Sequence, residues 1–171
     1  MADYVTQIEQ NLADTLLMIS GVVTQPNGYT YYNDVNTVNI EDDALSIDND
    51  DFNSYPNCLI YIDPSEDVIE LNQNAIGNKI HFIIEGRVAN EAGVDNPKFA
   101  INAKMNELLS DIKYILNDQM YLSNKVEYTH IQSSKRKYNI NGDIIHTGTI
   151  MIKVEVYYIQ SRSNPSKRAC Y

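Results

Sequence analysis

The sequence lacks the features that mark disulfide-stabilised, secreted or membrane-spanning proteins. Its 171 residues contain two cysteines, Cys58 and Cys170, and two such distant cysteines do not build a disulfide framework. No apolar run approaches the roughly 20 residues that a membrane helix needs, and the polar N-terminus has no signal-peptide pattern. We therefore expect a protein without membrane contact, folded in a reducing cytoplasm, in which Cys58 is a small buried apolar residue.

Motifs that carry chemistry are also absent. The sequence has no GxSxG, GxxxxGK(S/T), GxGxxG or HExxH pattern and no paired CxxC, so it offers no recognisable nucleophile, phosphate loop or zinc motif. A strand face shared by His81, Glu85 and Arg87 could hold an acid–base pair, but a solvated strand face explains it as well. No spacing brings the three histidines to one metal: His81, His130 and His146. We expect no catalytic residue, no metal and no cofactor.

Basic residues are scarce. The chain carries 13 Lys and Arg against 23 Asp and Glu, with a net charge of −10 and an isoelectric point near 4.6. Such a field repels phosphate backbones and disfavours a protein that reads nucleic acid. A compact basic cluster, Lys135, Arg136 and Lys137, is predicted on a projecting hairpin of residues 135–145. We expect this hairpin to contact a neighbouring molecule and not the core.

Negative charge is concentrated in residues 41–51, which we predict to be a solvated loop because like charges repel. The segment lacks the glycine and the terminal glutamate of a calcium-binding loop, so a plain acidic loop is favoured over a calcium site. The carboxylates that we expect to meet a neighbour's basic cluster include Glu41, Asp48, Asp50 and Asp51.

The wider segment 22–54 is the least regular part of the chain. We predict a long acidic loop or extended arm, because the pattern for a short hairpin is poor. Five tyrosines near this arm suit either a core or a protein interface: Tyr29, Tyr31, Tyr32, Tyr55 and Tyr61.

Two helices are predicted from apolar residues at spacings of three and four. The first has Asp3 as N-cap and Gly21 as C′ residue, and its stripe is Val5, Ile8, Leu12, Leu16 and Ile19. The second runs from Pro97 to about Asn117 with Asn96 as N-cap, and its stripe is Ile101, Met105, Leu108, Ile112 and Ile115. The residues that lie off this second stripe are Lys104, Glu107, Asp111 and Lys113.

Four apolar or alternating runs predict strands at residues 56–62, 79–88, 125–133 and 149–160, with residues 63–78 as a link. The predicted core faces are Ile80, Phe82, Ile84 and Val88; Val126, Tyr128 and His130; and Ile150, Ile152, Val154, Val156 and Tyr158. A three-residue loop ending in Gly142 would match the core faces of the last two strands, and it would place Glu127 opposite Glu155.

These elements predict a single α+β domain over residues 1–171. A mostly antiparallel sheet packs against an N-terminal helix and one central amphipathic helix. Residues 162–171 are predicted to be a flexible C-terminal tail.

The order of elements resembles the tail terminator, or tail completion, proteins of long-tailed bacteriophages. The resembling pattern is an N-terminal helix, the run YPNCLIYI at residues 55–62 followed by the acidic stretch SED at residues 65–67, and a strand at residues 79–88. A helix containing LLSDIKYILND at residues 108–118 and a final strand ending VEVYY at residues 154–158 complete it. The long acidic segment and the basic hairpin depart from the family pattern.

The resemblance implies a structural role in the virion, assembled in the host cytoplasm. A ring, usually of six subunits, ends growth of the tail tube, binds the tube protein and offers a surface to the neck or connector protein. DNA only passes through the ring, and an acidic chain suits such a bore. Two alternatives stay open: another neck or head–tail connector of the stopper type, and a small cytoplasmic enzyme with a dispersed site.

Overall fold

The computed structural model describes residues 4–21, 24–40, 55–70, 75–90, 93–141 and 144–161; for residues 64–70, 139–141 and 144–146 it describes the backbone alone. Within these ranges two helices and five strands follow one another as α1 (Tyr4–Leu16), β1 (Thr37–Ile40), β2 (Asn57–Glu70), β3 (Ala75–Ala89), α2 (Pro97–Asp118), β4 (Tyr128–Asn141) and β5 (Ile144–Ser161). The predicted α+β class is confirmed.

The five strands form one sheet in the order β1-β2-β3-β5-β4. The pairs β2–β3, β3–β5 and β4–β5 are antiparallel, and the short β1 runs parallel to β2. The apolar face of the sheet and the stripes of α1 and α2 belong to one buried cluster. Both helices therefore cover the same face, and β1 and β4 form the two edges of the sheet.

The core faces predicted for β3, β5 and the two helices are confirmed. Residues 80, 82, 84 and 88 of β3 are at most 4% exposed, and the five alternating residues of β5 from Ile150 to Tyr158 are at most 1% exposed. The whole predicted stripe of α2 is also buried. Most of α1's stripe is buried as well, while Val5 packs partly buried against the cluster.

Two glycines allow α2 to lie close to the sheet. A Cβ atom on Gly148 would lie 2.8 Å from Ile101 Cγ1 and 2.8 Å from Met105 Sδ, and one on Gly86 would lie 3.0 Å from Leu108 Cδ2. Real Cβ atoms do not approach so closely, so a larger residue would push the helix away from the sheet.

The predicted link at residues 63–78 is wrong. β2 continues to Glu70 and β3 begins at Ala75, so most of this stretch is a long antiparallel hairpin. The register shifts between Asp63 and Glu66, which flank Pro64. A bulge is one of the few places where a sheet tolerates proline, because proline has no amide to donate to the ladder.

The predicted core face of β4 is also wrong in part. Val126 is fully buried but precedes the strand. Tyr128 pairs with Tyr157 and stacks on its ring at 5.4 Å, which places it on the face away from the helices. His130 is exposed. The reason is a register shift between Ile131 and Ser133, which offsets the strand by one residue and moves side chains to the other face.

The three-residue loop between the last two strands is not observed, although even-numbered residues 134–138 lie opposite even-numbered residues of β5, as matching core faces require. Glu155 lies opposite His130, not opposite Glu127, and Asn141 pairs with Ile144. The amide of Glu127 donates to the carbonyl oxygen of Tyr157.

The predicted helix caps do not form as expected. Asn96 stands at the N-cap of α2 with φ 52°, and its side chain makes no capping hydrogen bond. Its backbone carbonyl instead accepts from the amides of Phe99 and Ala100. α1 ends at Leu16, so Gly21 is not its C′ residue. Asp3 lies outside the described residues.

Part of segment 22–54, predicted as a loop or arm, packs on the body of the protein. Tyr31 and Val35 are 3% and 2% exposed, and residues 37–40 form β1. The ring of Tyr29 stacks on Tyr114 of α2 at 3.9 Å, and the ring of Tyr31 meets Tyr114 edge-on at 5.7 Å. Of the five tyrosines, Tyr31 is thus part of the core and the partly buried Tyr29 packs against it, whereas Tyr32 is 64% exposed. Residues 41–54 lie outside the described residues.

Asp111 holds this segment against α2. Its carboxylate is fully buried and accepts four donors: the hydroxyl of Tyr29 at 2.9 Å, the amide of Tyr32 at 3.1 Å, the amide of Asn33 at 3.0 Å and the side-chain amide of Asn33 at 2.8 Å. A buried charge is tolerated only when it is compensated in this way. The sequence pattern placed Asp111 off the buried stripe, and that interpretation is wrong.

We predict that Tyr29→Phe lowers the free energy of unfolding by about 2 kcal/mol, because it removes a hydrogen bond to a buried charge. Tyr31→Phe is the matched control, since the buried Tyr31 hydroxyl has no hydrogen-bond partner among the described residues. It should change stability by less than about 0.5 kcal/mol or raise it. Urea denaturation at pH 7 measures both, and equal losses would contradict the account.

Candidate functional site

The sheet face opposite the helices, here called the open face, carries a network of charged side chains. No helix of the described part of the chain lies on it. Glu155 of β5 is at its centre. It accepts hydrogen bonds from Tyr128 at 3.2 Å and Gln132 at 3.0 Å, and its oxygens lie 3.6 Å from Lys79 Nζ and 3.6 Å from His81 Nε2.

Register explains why these residues meet. His81 of β3 and His130 of β4 both lie directly opposite Glu155, from either side. The register shift at Gln132 also brings the side-chain nitrogen Nε2 of Gln132 within 3.2 Å of His81 Nε2. This cluster around Glu155 is not predictable from the sequence, because its residues come from three strands and meet only through the pairing of those strands.

Two further ion pairs of the open face are closer. Lys153 Nζ lies 2.7 Å from Asp63 Oδ2, and Arg87 lies 2.8 Å from Glu85 Oε1. These charged groups of β2, β3 and β5 therefore compensate one another within the subunit. The part of the open face that they cover has little charge left to attract a partner.

The network shifts two pKa values in opposite directions. Burial by itself would raise the pKa of Glu155, but the hydrogen bond from Tyr128 and the charges of Lys79 and His81 outweigh it, so the pKa lies below its usual value. The carboxylate of Glu155 raises the pKa of Lys79 above its usual value. Both shifts favour the charged pair.

The geometry does not form an acid–base site from His81, Glu85 and Arg87. Glu85 pairs with Arg87, whereas His81 turns to Glu155 and Gln132. Cys58 is 1% exposed, and burial raises the pKa of its thiol to about 12, so it stays protonated and unreactive. Among the described residues, no group of three or more His, Cys, Asp or Glu could hold a metal ion. The side chain of His146 is not described.

The basic cluster Lys135, Arg136 and Lys137 lies on the edge strand β4, within the sheet and not on a projecting tip. These residues pair with Met151, Ile150 and Thr149 of β5, which in turn pair with β3. All three basic side chains are exposed, and none has an ion-pair partner in the described ranges. We define the outer side of residues 132–137 as the basic edge, a stretch in which every residue is exposed.

The acidic partners predicted for this cluster lie outside the described residues: Glu41, Asp48, Asp50 and Asp51. Their point of departure is nevertheless fixed, because Glu41 follows Ile40, the last residue of β1. β1 and β4 are opposite edges of the same sheet. The basic edge thus lies on β4 at one side of the sheet, and the acidic segment follows β1 at the opposite side.

Comparison with protein-family models finds no match, and comparison with curated proteins finds no significant match. In the part of the chain that the structure describes, neither helix is long and apolar enough to span a membrane.

We predict that Glu155→Gln lowers stability at pH 7 by about 1 kcal/mol, because hydrogen bonds to a partly exposed charge are lost. Because the pKa of Glu155 is lower in the folded protein than in the unfolded chain, where it is near 4.3, its charge stabilises the fold above that pH. This stabilisation is lost as the pH falls through the lower pKa of the folded protein. Wild type should therefore lose more stability than the variant between pH 5 and pH 3.

Thermal unfolding across this pH range provides the test. Glu107→Gln, on α2 and away from the open face, is the matched control and should keep the wild-type pH dependence. Parallel curves for wild type and Glu155→Gln would contradict the role assigned to Glu155.

Proposed function

We propose that this protein is a structural virion component that forms a closed ring at the head-proximal end of a phage tail tube. There it ends tube growth and joins the tail to the neck. The proposal combines the resemblance noted in the sequence with one observation: the basic edge lies on one edge strand of the sheet, and the acidic segment follows the strand at the opposite edge.

Two different edges favour head-to-tail association. In a two-fold dimer the same patch meets itself, and a basic edge facing its own copy would be repulsive. In a head-to-tail arrangement each subunit offers its basic edge to the acidic segment that leaves the β1 side of the next subunit. Such a contact makes a ring when the rotation between subunits closes. The resemblance supplies the number six.

The chemistry of the described surface is consistent with a structural role. The ion pairs around Glu155 on the open face satisfy one another, and Glu155 is held by four neighbours. The basic side chains of residues 135–137, which have no ion-pair partner among the described residues, lie on an edge strand, which is a place for association. The net charge of −10 makes the rest of each subunit repel its neighbours, so rings are expected to be weak without the tube as a template.

We predict that the protein associates to six subunits and that association strengthens when salt rises from about 0.01 to about 0.15 M. The Debye length then falls from about 30 to about 8 Å, which screens the overall repulsion more than close contacts. Light scattering across salt and concentration measures the mass, and electron microscopy with purified tail tubes shows whether one tube end is capped.

Two outcomes would contradict the proposal. One is a chain that stays monomeric at every salt concentration and never caps a tube. The other is a chain that binds a head-side connector but not the tube end, which would place it among the stopper-type components.

A further inference from the structure

We infer that the basic edge of β4 is a strand-addition site, and that its occupant is the acidic segment, residues 41–51, of a second copy of this chain. This inference deepens the proposed ring, because it names the contact that joins neighbouring subunits. It rests on the exposed edge of β4, on charge complementarity, and on the place where the acidic segment leaves the fold.

β4 offers backbone groups as well as charge. It is a 14-residue strand paired on one side with β5, and no strand of the described residues pairs with its other side. On an edge strand every second residue directs its N–H and C=O outward. Added strands gain their affinity from these groups and their specificity from side chains.

The charges of the basic edge select the kind of strand that can bind. Lysines on an edge ordinarily prevent pairing with another copy of that edge. Here Lys135 and Lys137 lie on the open face, opposite Met151 and Thr149, while Arg136 lies on the helix face, opposite Ile150. A strand that binds here therefore needs two acidic residues, at positions i and i+2, on the open face. It also needs an acidic residue on the helix face.

Residues 41–51 have this pattern. In an extended strand, Asp48 and Asp50 fall on one face and Asp51 on the other. Pairing Asp48 and Asp50 with Lys135 and Lys137 thus also brings Asp51 to the face of Arg136. Opposite charges directly across two strands stabilise their pairing.

The segment is placed to reach a neighbour more readily than its own β4. Fourteen residues separate Ile40 from Tyr55, and both ends are held at the β1–β2 side of the sheet. Going out and back, such a segment extends at most about 24 Å. Its own basic edge lies four strand spacings away, about 19 Å in a straight line through the sheet, and the path around the sheet is longer.

Two charge-reversed variants of the full chain provide the test. The first variant carries Lys135→Glu and Lys137→Glu, and the second carries Asp48→Lys and Asp50→Lys. Each alone should self-associate about 10- to 100-fold more weakly than wild type, because attraction becomes repulsion at two sites. An equimolar mixture should recover association, since each variant then complements the other at both edges.

A change in net charge alone cannot weaken the self-association of both variants. The second variant is less acidic than wild type, so if only overall repulsion mattered it would associate more strongly. A control with Lys98→Glu and Lys113→Glu, two exposed lysines of α2, makes the same charge change as the first variant away from the edge. It should affect association less than about threefold, and an effect equal to that of the first variant would overturn the inference.

Hydrogen exchange tests the backbone pairing separately from the charges. We expect a synthetic peptide of residues 41–51 to protect those amides of residues 132–137 that face away from β5 from hydrogen exchange in the wild-type chain at low concentration, and not in the first variant. Absence of protection would overturn strand addition. Protection of these outward-facing amides that is already present in dilute protein, without peptide and independent of concentration, would identify the chain's own segment as the occupant and overturn the contact between copies.

The outcomes separate this inference from the proposed function. If the variants behave as stated but no tube end is ever capped, the contact between copies holds and the role in a phage tail fails. If rings cap tubes and the first variant assembles as well as wild type, the role holds and this contact fails.

Discussion

The buried carboxylate of Asp111 is the interaction on which the arrangement of the N-terminal half depends. It joins the middle of α2 to residues 29–33, which have no regular secondary structure to hold them. Two of its four donors are backbone amides, those of Tyr32 and Asn33. Removing the carboxylate would leave these partly buried amides without this acceptor, at a cost of up to about 1–3 kcal/mol for each group. The stacked rings of Tyr29 and Tyr114 add apolar contact beside it.

The position of β1 follows from this anchor. Residues 34–36 lead directly from the anchored loop into Thr37, which pairs with Asn57 at the start of β2. The amide of Val35 also donates to the carbonyl of Ile19 at 3.0 Å, which ties the same segment to the end of the N-terminal helical region. Asp111 thus helps to decide where the acidic segment leaves the body, at the sheet edge farthest from β4. The proposed assembly needs that separation of opposite charges.

Patterns that involve only local spacing were predictable from the sequence. The stripe of α2 and the alternation of β5 were read correctly, because an apolar face of a helix or strand has a fixed period. Contacts between residues that are far apart in the sequence were not predictable. Asp111 is a charged residue beside an apolar stripe, and nothing local indicates that four donors from residues 29–33 will meet it.

Bulges in β2 and β4 are the second feature that the sequence pattern does not predict. The predicted link at residues 63–78 is wrong because β2 continues past Pro64 through a register shift. Gln132 likewise offsets β4, so Tyr128 and Glu155 meet on the open face. Periodicity carries no information about one inserted residue, and one residue is enough to exchange the two faces.

The most direct test of this account is native-state hydrogen exchange at the backbone amides of Tyr32 and Asn33. Both belong to a loop, and Tyr32's side chain is 64% exposed, so without the Asp111 anchor they would exchange nearly as fast as an open chain. With the anchor in place, we expect protection of both amides comparable to that of the amides of α2, and loss of this protection in Asp111→Ala. Rapid exchange of both amides in the wild-type protein would contradict it.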